Sequence, residues 1–190
     1  MKPFTGYKAE KSMGAREIIP AGGYVAKILD AKEVSYSWGS VLAISFDITE
    51  GEYKDFFKND YNAQTGEDKK WRGVCRLPLP KDDGTEQDGW TKNSFNNAMF
   101  AIEDSNKGYT WNWDEKTLKG KNTGVLFRNK EWEMNGNSGW TTECYALAPV
   151  EDIHTGHFKI AKDKPLKNKP AASSGFTPIP DSGDDGDLPF

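Results

Sequence analysis

Val41-Leu42-Ala43-Ile44-Ser45-Phe46-Asp47-Ile48-Thr49 is the stretch on which the fold class turns. Leu42, Ile44, Phe46 and Ile48 recur every second residue, while Ser45, Asp47 and Thr49 occupy the alternate positions. A period of two over this length is the pattern of a β-strand with one face in a core. Upstream, Ser37-Trp38-Gly39-Ser40 reads as a short connection to a second strand over residues 24–34, itself preceded by the turn signal Pro20-Ala21-Gly22-Gly23. Residues 1–19 are polar and irregular and read as an N-terminal arm.

Downstream, Glu50-Gly51 ends the central strand. Residues 52–61 are ambiguous, because Tyr53, Phe57 and Tyr61 share a face at either strand or helix spacing. Residues 62–70 and 80–89 read as polar loops, with strand character over 71–79 between them. The period then changes. Phe95, Ala98, Met99 and Ile102 stand at i, i+3, i+4 and i+7, the stripe of an amphipathic helix over residues 91–104. Asn106-Lys107-Gly108 supplies its stop. Residues 121–132 and 141–150 read as two more strands joined by the turn-rich Asn135-Gly136-Asn137-Ser138-Gly139. The expected fold is therefore all-β with one helix. Five strands with a helix between the third and fourth is the element order of an OB-fold, a five-stranded Greek-key barrel. That domain is expected over residues 20–160, followed by a Lys- and Pro-containing linker over 161–180 and an acidic tail over 181–190.

Charge is unevenly distributed along these parts. The formal net charge of −4 is carried by Asp181, Asp184, Asp185 and Asp187, so the other residues balance to neutrality. A neutral body leaves room for a local basic groove, but argues against a protein that coats duplex by charge alone. Aromatic residues make up 13% of the chain, and these rings must enter a core or a binding surface. The N-terminus lacks the apolar run of a signal peptide, and no segment has the composition of a membrane span, so the expectation is a cytoplasmic protein with no membrane partner. Cys75 and Cys144 then read as free thiols.

The last residues carry the sharpest motif. Within an acidic stretch with no core-forming residues, Leu188 and Phe190 flank Pro189 at the terminus. Such a segment is a peptide ligand: the apolar side chains fill a pocket while Asp184, Asp185, Asp187 and the carboxylate meet surrounding bases. Asp184-Asp185-Gly186-Asp187-Leu188-Pro189-Phe190 resembles the tail of bacterial single-stranded DNA-binding proteins, an acidic run ending in Ile-Pro-Phe or Leu-Pro-Phe. The resemblance implies recruitment of replication, repair and recombination proteins. In the body, residues 46–53, 103–109, 118–121 and Phe127-Arg128 resemble segments of the single-stranded DNA-binding proteins of Gram-positive phages, a similarity running from about residue 20 to residue 166.

Single-strand binding needs aromatic faces for unpaired bases and cations along the phosphates. The strand over 124–132 presents Arg128, Lys130 and Trp132 on one face. Trp71, Arg72 and Arg76 form a second aromatic–basic cluster, and Lys54 and Lys58 flank Phe56 and Phe57. Tyr36 and Trp38 lie in the first strand connection and Trp140 beside the last hairpin, the two loops that contact ligand in this fold. Trp111 and Trp113, beside Asp114 and Glu115, read as structural. His154 and His157 form an H-x-x-H pair, but the cysteines lack paired ligand spacing, and no metal or other cofactor is expected. No G-x-S-x-G, phosphate loop or G-x-G-x-x-G is present, so the expectation is a binding protein and not an enzyme. Sequence-tolerant single-stranded DNA binding is the leading expectation, with self-association left open. A carbohydrate-binding β-domain using exposed tryptophans is the alternative.

Overall fold

The computed structural model describes residues 17–65 and 67–166. The chain runs β1 (Gly22–Tyr36), β2 (Gly39–Ile48), α1 (Phe56–Ala63), β3 (Val74–Pro78), α2 (Glu86–Asp104), a 3-10 turn (Glu115–Leu118), β4 (Asn122–Met134), β5 (Asn137–Ala148) and α3 (Val150–Thr155). The five strands form one antiparallel sheet in the order β3-β2-β1-β4-β5. The sheet is open: among the described residues no ladder joins its edge strands β3 and β5. The single expected helix is present as α2 between β3 and β4, and two short helices accompany it.

Two tight hairpins set the register. Tyr36 pairs with Gly39, leaving Ser37-Trp38 as a two-residue turn between β1 and β2. Met134 pairs with Asn137 across Asn135 (φ 52°) and Gly136 (φ 77°), consecutive left-handed residues whose twist suits two-residue hairpins. The face of β2 read from the sequence packs inward: Leu42, Ile44, Phe46 and Ile48 are buried with Ile28, Val125 and Phe127. The α2 stripe Phe95, Ala98, Met99 and Ile102 closes over the same core. Burial of each of the Leu, Ile, Val, Phe and Met side chains among these contributes about 1.5–3 kcal/mol of transfer free energy.

Two local readings are refined. Residues 56–61 of the ambiguous stretch after β2 are helical, as part of α1, which runs on to Ala63 inside the expected 62–70 loop. The start of α1 is capped by a residue from outside it. Asp47 Oδ1 accepts from the Phe57 amide at 3.0 Å and Oδ2 from the Lys58 amide at 3.1 Å. Asp47 is accordingly 7% exposed, although the alternation placed it on the polar face of β2. Burial pushes its pKa up against those amide hydrogen bonds, which favour the charged form. The second concerns α2, which begins at Glu86 inside the expected 80–89 loop. Thr85 Oγ1 accepts from the Asp88 amide at 3.2 Å, and Asp88 Oδ1 accepts from the amides of Lys81 and Asp82. Thr85-Glu86-Gln87-Asp88 is a capping sequence, and that signal preceded the apolar stripe.

Candidate functional site

The edges of the open sheet face each other across a groove of about 850 Å³. Phe56 and Phe57 of α1, Val74 of β3, Phe127 of β4 and Cys144 of β5 form apolar parts of its lining. Among the described residues its bases are Lys70, Arg72, Arg76, Arg128, Lys130 and Lys164, and its one acid is Glu143. A chain with net negative charge therefore presents a groove whose lining is strongly basic.

Glu143 organises one wall. It lies directly across the ladder from Arg128 and accepts from that guanidinium at 2.7 and 3.0 Å. Lys130 and Lys164 reach the same carboxylate at 3.0 and 3.1 Å. Partial burial opposes ionisation of Glu143, but the hydrogen bonds from Lys130, Arg128 and Lys164 outweigh it and hold the pKa at about 2. The Arg128 guanidinium also lies over the Tyr145 ring, 5.3 Å from its centroid. Three cations on one anion leave this wall with positive charge in excess.

The opposite wall differs in its freedom. Trp71 lines the groove, yet its indole N–H donates to the carbonyls of Phe46 and Gly73 at 3.1 and 3.2 Å, which fixes the ring. Arg72 is held by Asp60 at 3.0 Å. Arg76 is exposed on β3 and has no ion pair among the described residues. At the end of the groove, Trp38 is 60% exposed and stacks on Tyr36 with centroids 5.2 Å apart and planes inclined by 4°. Trp38 stands within the two-residue turn, where no facing strand covers its ring, whereas Tyr36 is the last residue of β1, pairs with Gly39 and does not itself line the groove.

The remaining expected site residues are not brought to this groove. Lys54 and Lys58 are exposed near α1 but do not line it. Trp132 and Trp140 are exposed on the β4–β5 hairpin, again outside the lining, and Trp132 packs against Gly139. Asp184, Asp185, Asp187, Leu188, Pro189 and Phe190 lie outside the described residues. Glu143, Tyr145, Lys70 and Lys164 went unread in the sequence. Glu143 was within reach, since counting back from the Asn135-Gly136 turn places it opposite Arg128. Lys164 was not: it stands in the expected linker, where its backbone pairs in parallel with Lys130 of β4, with Lys164 N–H to Asn129 O and Glu131 N–H to Lys164 O both at 2.9 Å.

His154 bonds to Glu50 at 2.9 Å, and among the described residues no group of three ligating side chains is arranged to hold a metal ion. No helix among the described residues is long and apolar enough to cross a membrane. No protein-family model matches the chain, and no curated protein matches it.

Proposed function

We propose that the groove between β3 and β5 binds single-stranded nucleic acid, with DNA as the ligand, and that the domain is of the OB type. The observation that carries this reading is the charge of the groove: among the described residues six bases and one acid line it, in a chain of net charge −4. A basic groove tracks a phosphate backbone, and an exposed aromatic pair at its end accepts a stacked base. Duplex is a poorer fit, because an unpaired base is needed to reach the Trp38 face. The strand order, the helix between β3 and β4 and the position of Trp38 in the β1–β2 hairpin support the OB-type assignment. Under this reading the acidic Leu-Pro-Phe terminus recruits partner proteins of replication and recombination.

Titration of intrinsic tryptophan fluorescence with oligo(dT) and with duplex DNA at two salt concentrations tests the proposal. Quenching by the single strand alone is expected, with affinity falling as salt rises. Arg76→Ala is expected to reduce the log–log salt slope by about 0.7, the value for one phosphate contact on a single strand. Trp38→Ala is expected to cost about 1–3 kcal/mol of stacking. Absence of quenching together with absence of a mobility shift would overturn the assignment.

A further inference from the structure

A second cleft, of about 440 Å³, adjoins the basic groove. Trp38 and Pro78 line both, so the two are continuous across the β1–β2 turn and the end of β3. The other walls of the cleft include Lys81 and Asp83, from the loop after β3, and Gln87 and Asp88, from the first turn of α2. The Leu79 amide donates to the Ser40 carbonyl at 2.9 Å, which ties that loop to the hairpin. Lys81 Cε stands 3.5 Å from the place a Cβ on Gly39 would take, so its stem lies beside the turn that carries Trp38. Asp88 is engaged within the fold, by the amides of Lys81 and Asp82 and by Lys92 Nζ at 3.0 Å. Asp83 is engaged at one oxygen only. Its Oδ1 accepts from the Thr85 amide and hydroxyl at 3.0 and 2.7 Å, while Oδ2 has no hydrogen-bond partner among the described residues. The hydrogen bonds from Thr85 hold the Asp83 carboxyl below its ordinary pKa, so it is ionised near neutrality. The Gln87 side-chain amide is exposed and likewise without a partner among the described residues.

Charge separates this cleft from the groove it continues. Among the described residues its lining holds Asp83 and Asp88 against Lys81, where the groove holds six bases and one acid. A phosphate is poorly placed against such a lining, whereas the donor edge of a base is attracted to it. The exposed Trp38 ring supplies a face on which that base stacks. The four bases differ in what they offer a carboxylate. Guanine alone carries two adjacent donors, N1–H and the N2 amino group, which one free carboxylate oxygen can accept together. Cytosine and adenine set their amino donor beside an acceptor nitrogen, and thymine sets N3–H between two carbonyls. We propose that this cleft seats one guanine of a bound single strand, stacked on Trp38, with Asp83 Oδ2 accepting from N1–H and N2 and the Gln87 amide donating to O6. Lys81 then meets the adjoining phosphate where the strand leaves the groove. The basic groove is tolerant of sequence, and this one position reads it. The inference rests on the single-strand reading of the groove, and its test separates the two.

The test measures competition against labelled oligo(dT) by oligonucleotides that carry one substituted base at successive positions in a thymine run. A guanine at one position is expected to tighten binding about tenfold, within the range for a paired base contact. Inosine, which lacks the N2 amino group, is expected to lose most of that gain, and this arm needs no change to the protein. Asp83→Asn keeps an oxygen for Thr85 but puts an amide donor where Oδ2 stood, and is expected to erase the guanine gain. Equal affinity for guanine, cytosine, adenine and thymine would overturn the inference and leave single-strand binding standing. A gain with cytosine or adenine in place of guanine, or an inosine strand as tight as the guanine one, would overturn it equally. Absence of binding by every oligonucleotide would overturn the single-strand reading and the guanine site with it.

Discussion

Glu143 is the residue on which the electrostatics of the basic groove depend. Its carboxylate holds Arg128, Lys130 and Lys164 in one place, thereby joining β4, β5 and the segment that follows α3. Because its pKa in the folded chain lies near 2, below the ordinary glutamate value of 4.5, the stability it contributes is present above pH 4.5. That contribution is lost as pH falls toward 2. Glu143→Gln should flatten this acid limb in denaturation midpoints measured from pH 6 down to about pH 2. Equal acid loss in both proteins would mean that another group titrates. The same variant removes the one acid that lines the groove among the described residues, so affinity for oligo(dT) at low salt should rise about tenfold, equivalent to about 1.4 kcal/mol. A fall in affinity would instead show that Glu143 acts chiefly by holding the three cations in position. Asp47 behaves in the opposite sense: its raised pKa means that its ionisation opposes folding, while its geometry starts a helix.

At the scale of elements, β2, α1 and β3 converge on Gly73. A methyl group there would stand 2.4 Å from the Phe46 carbonyl oxygen and 2.6 Å from Phe57 Cδ2, contacts no side chain tolerates without movement. The same Phe46 carbonyl and that of Gly73 receive the Trp71 indole N–H, so this crowding also seats a wall of the groove. Gly73→Ala should destabilise the protein by about 1–3 kcal/mol in urea denaturation, the usual cost of overpacking. It should also raise Trp71 mobility; unchanged stability would show that α1 yields easily. The helix itself explains why residues 52–61 resisted reading. Its cap comes from Asp47, eight residues before Asp55, which occupies the cap position with φ 58° and makes no side-chain cap bond. A helix whose first turn is satisfied by a neighbouring strand leaves no local start signal.

For the whole molecule, the informative feature is how closely the unpaired edges of the sheet approach. Cys75 of β3 and Cys144 of β5 are free thiols in mutual contact across that gap. Burial and the adjacent Cys75 thiol push the Cys144 pKa well up, so little thiolate exists near neutrality. Cys75, which is buried, should react with a maleimide at pH 8 about a hundredfold more slowly in the native state than in denaturant. Rapid native labelling would mean that β3 and β5 separate readily. The sequence by itself determined the alternating strand β2, the α2 stripe, the two hairpins and the uneven placement of charge, since each is written in neighbours a few residues apart. It also marked Tyr36 and Trp38 as residues of the first strand connection, and Arg76 and Arg128 as members of two separate aromatic–basic clusters. Only the tertiary structure decided which bases share a groove, that Lys54, Lys58, Trp132 and Trp140 stand outside it, and that Lys164 enters it. Those outcomes depend on how a five-stranded sheet curls to bring its first- and last-ranked strands together. Such curling sums packing over residues far apart in the chain and leaves no trace in any local period.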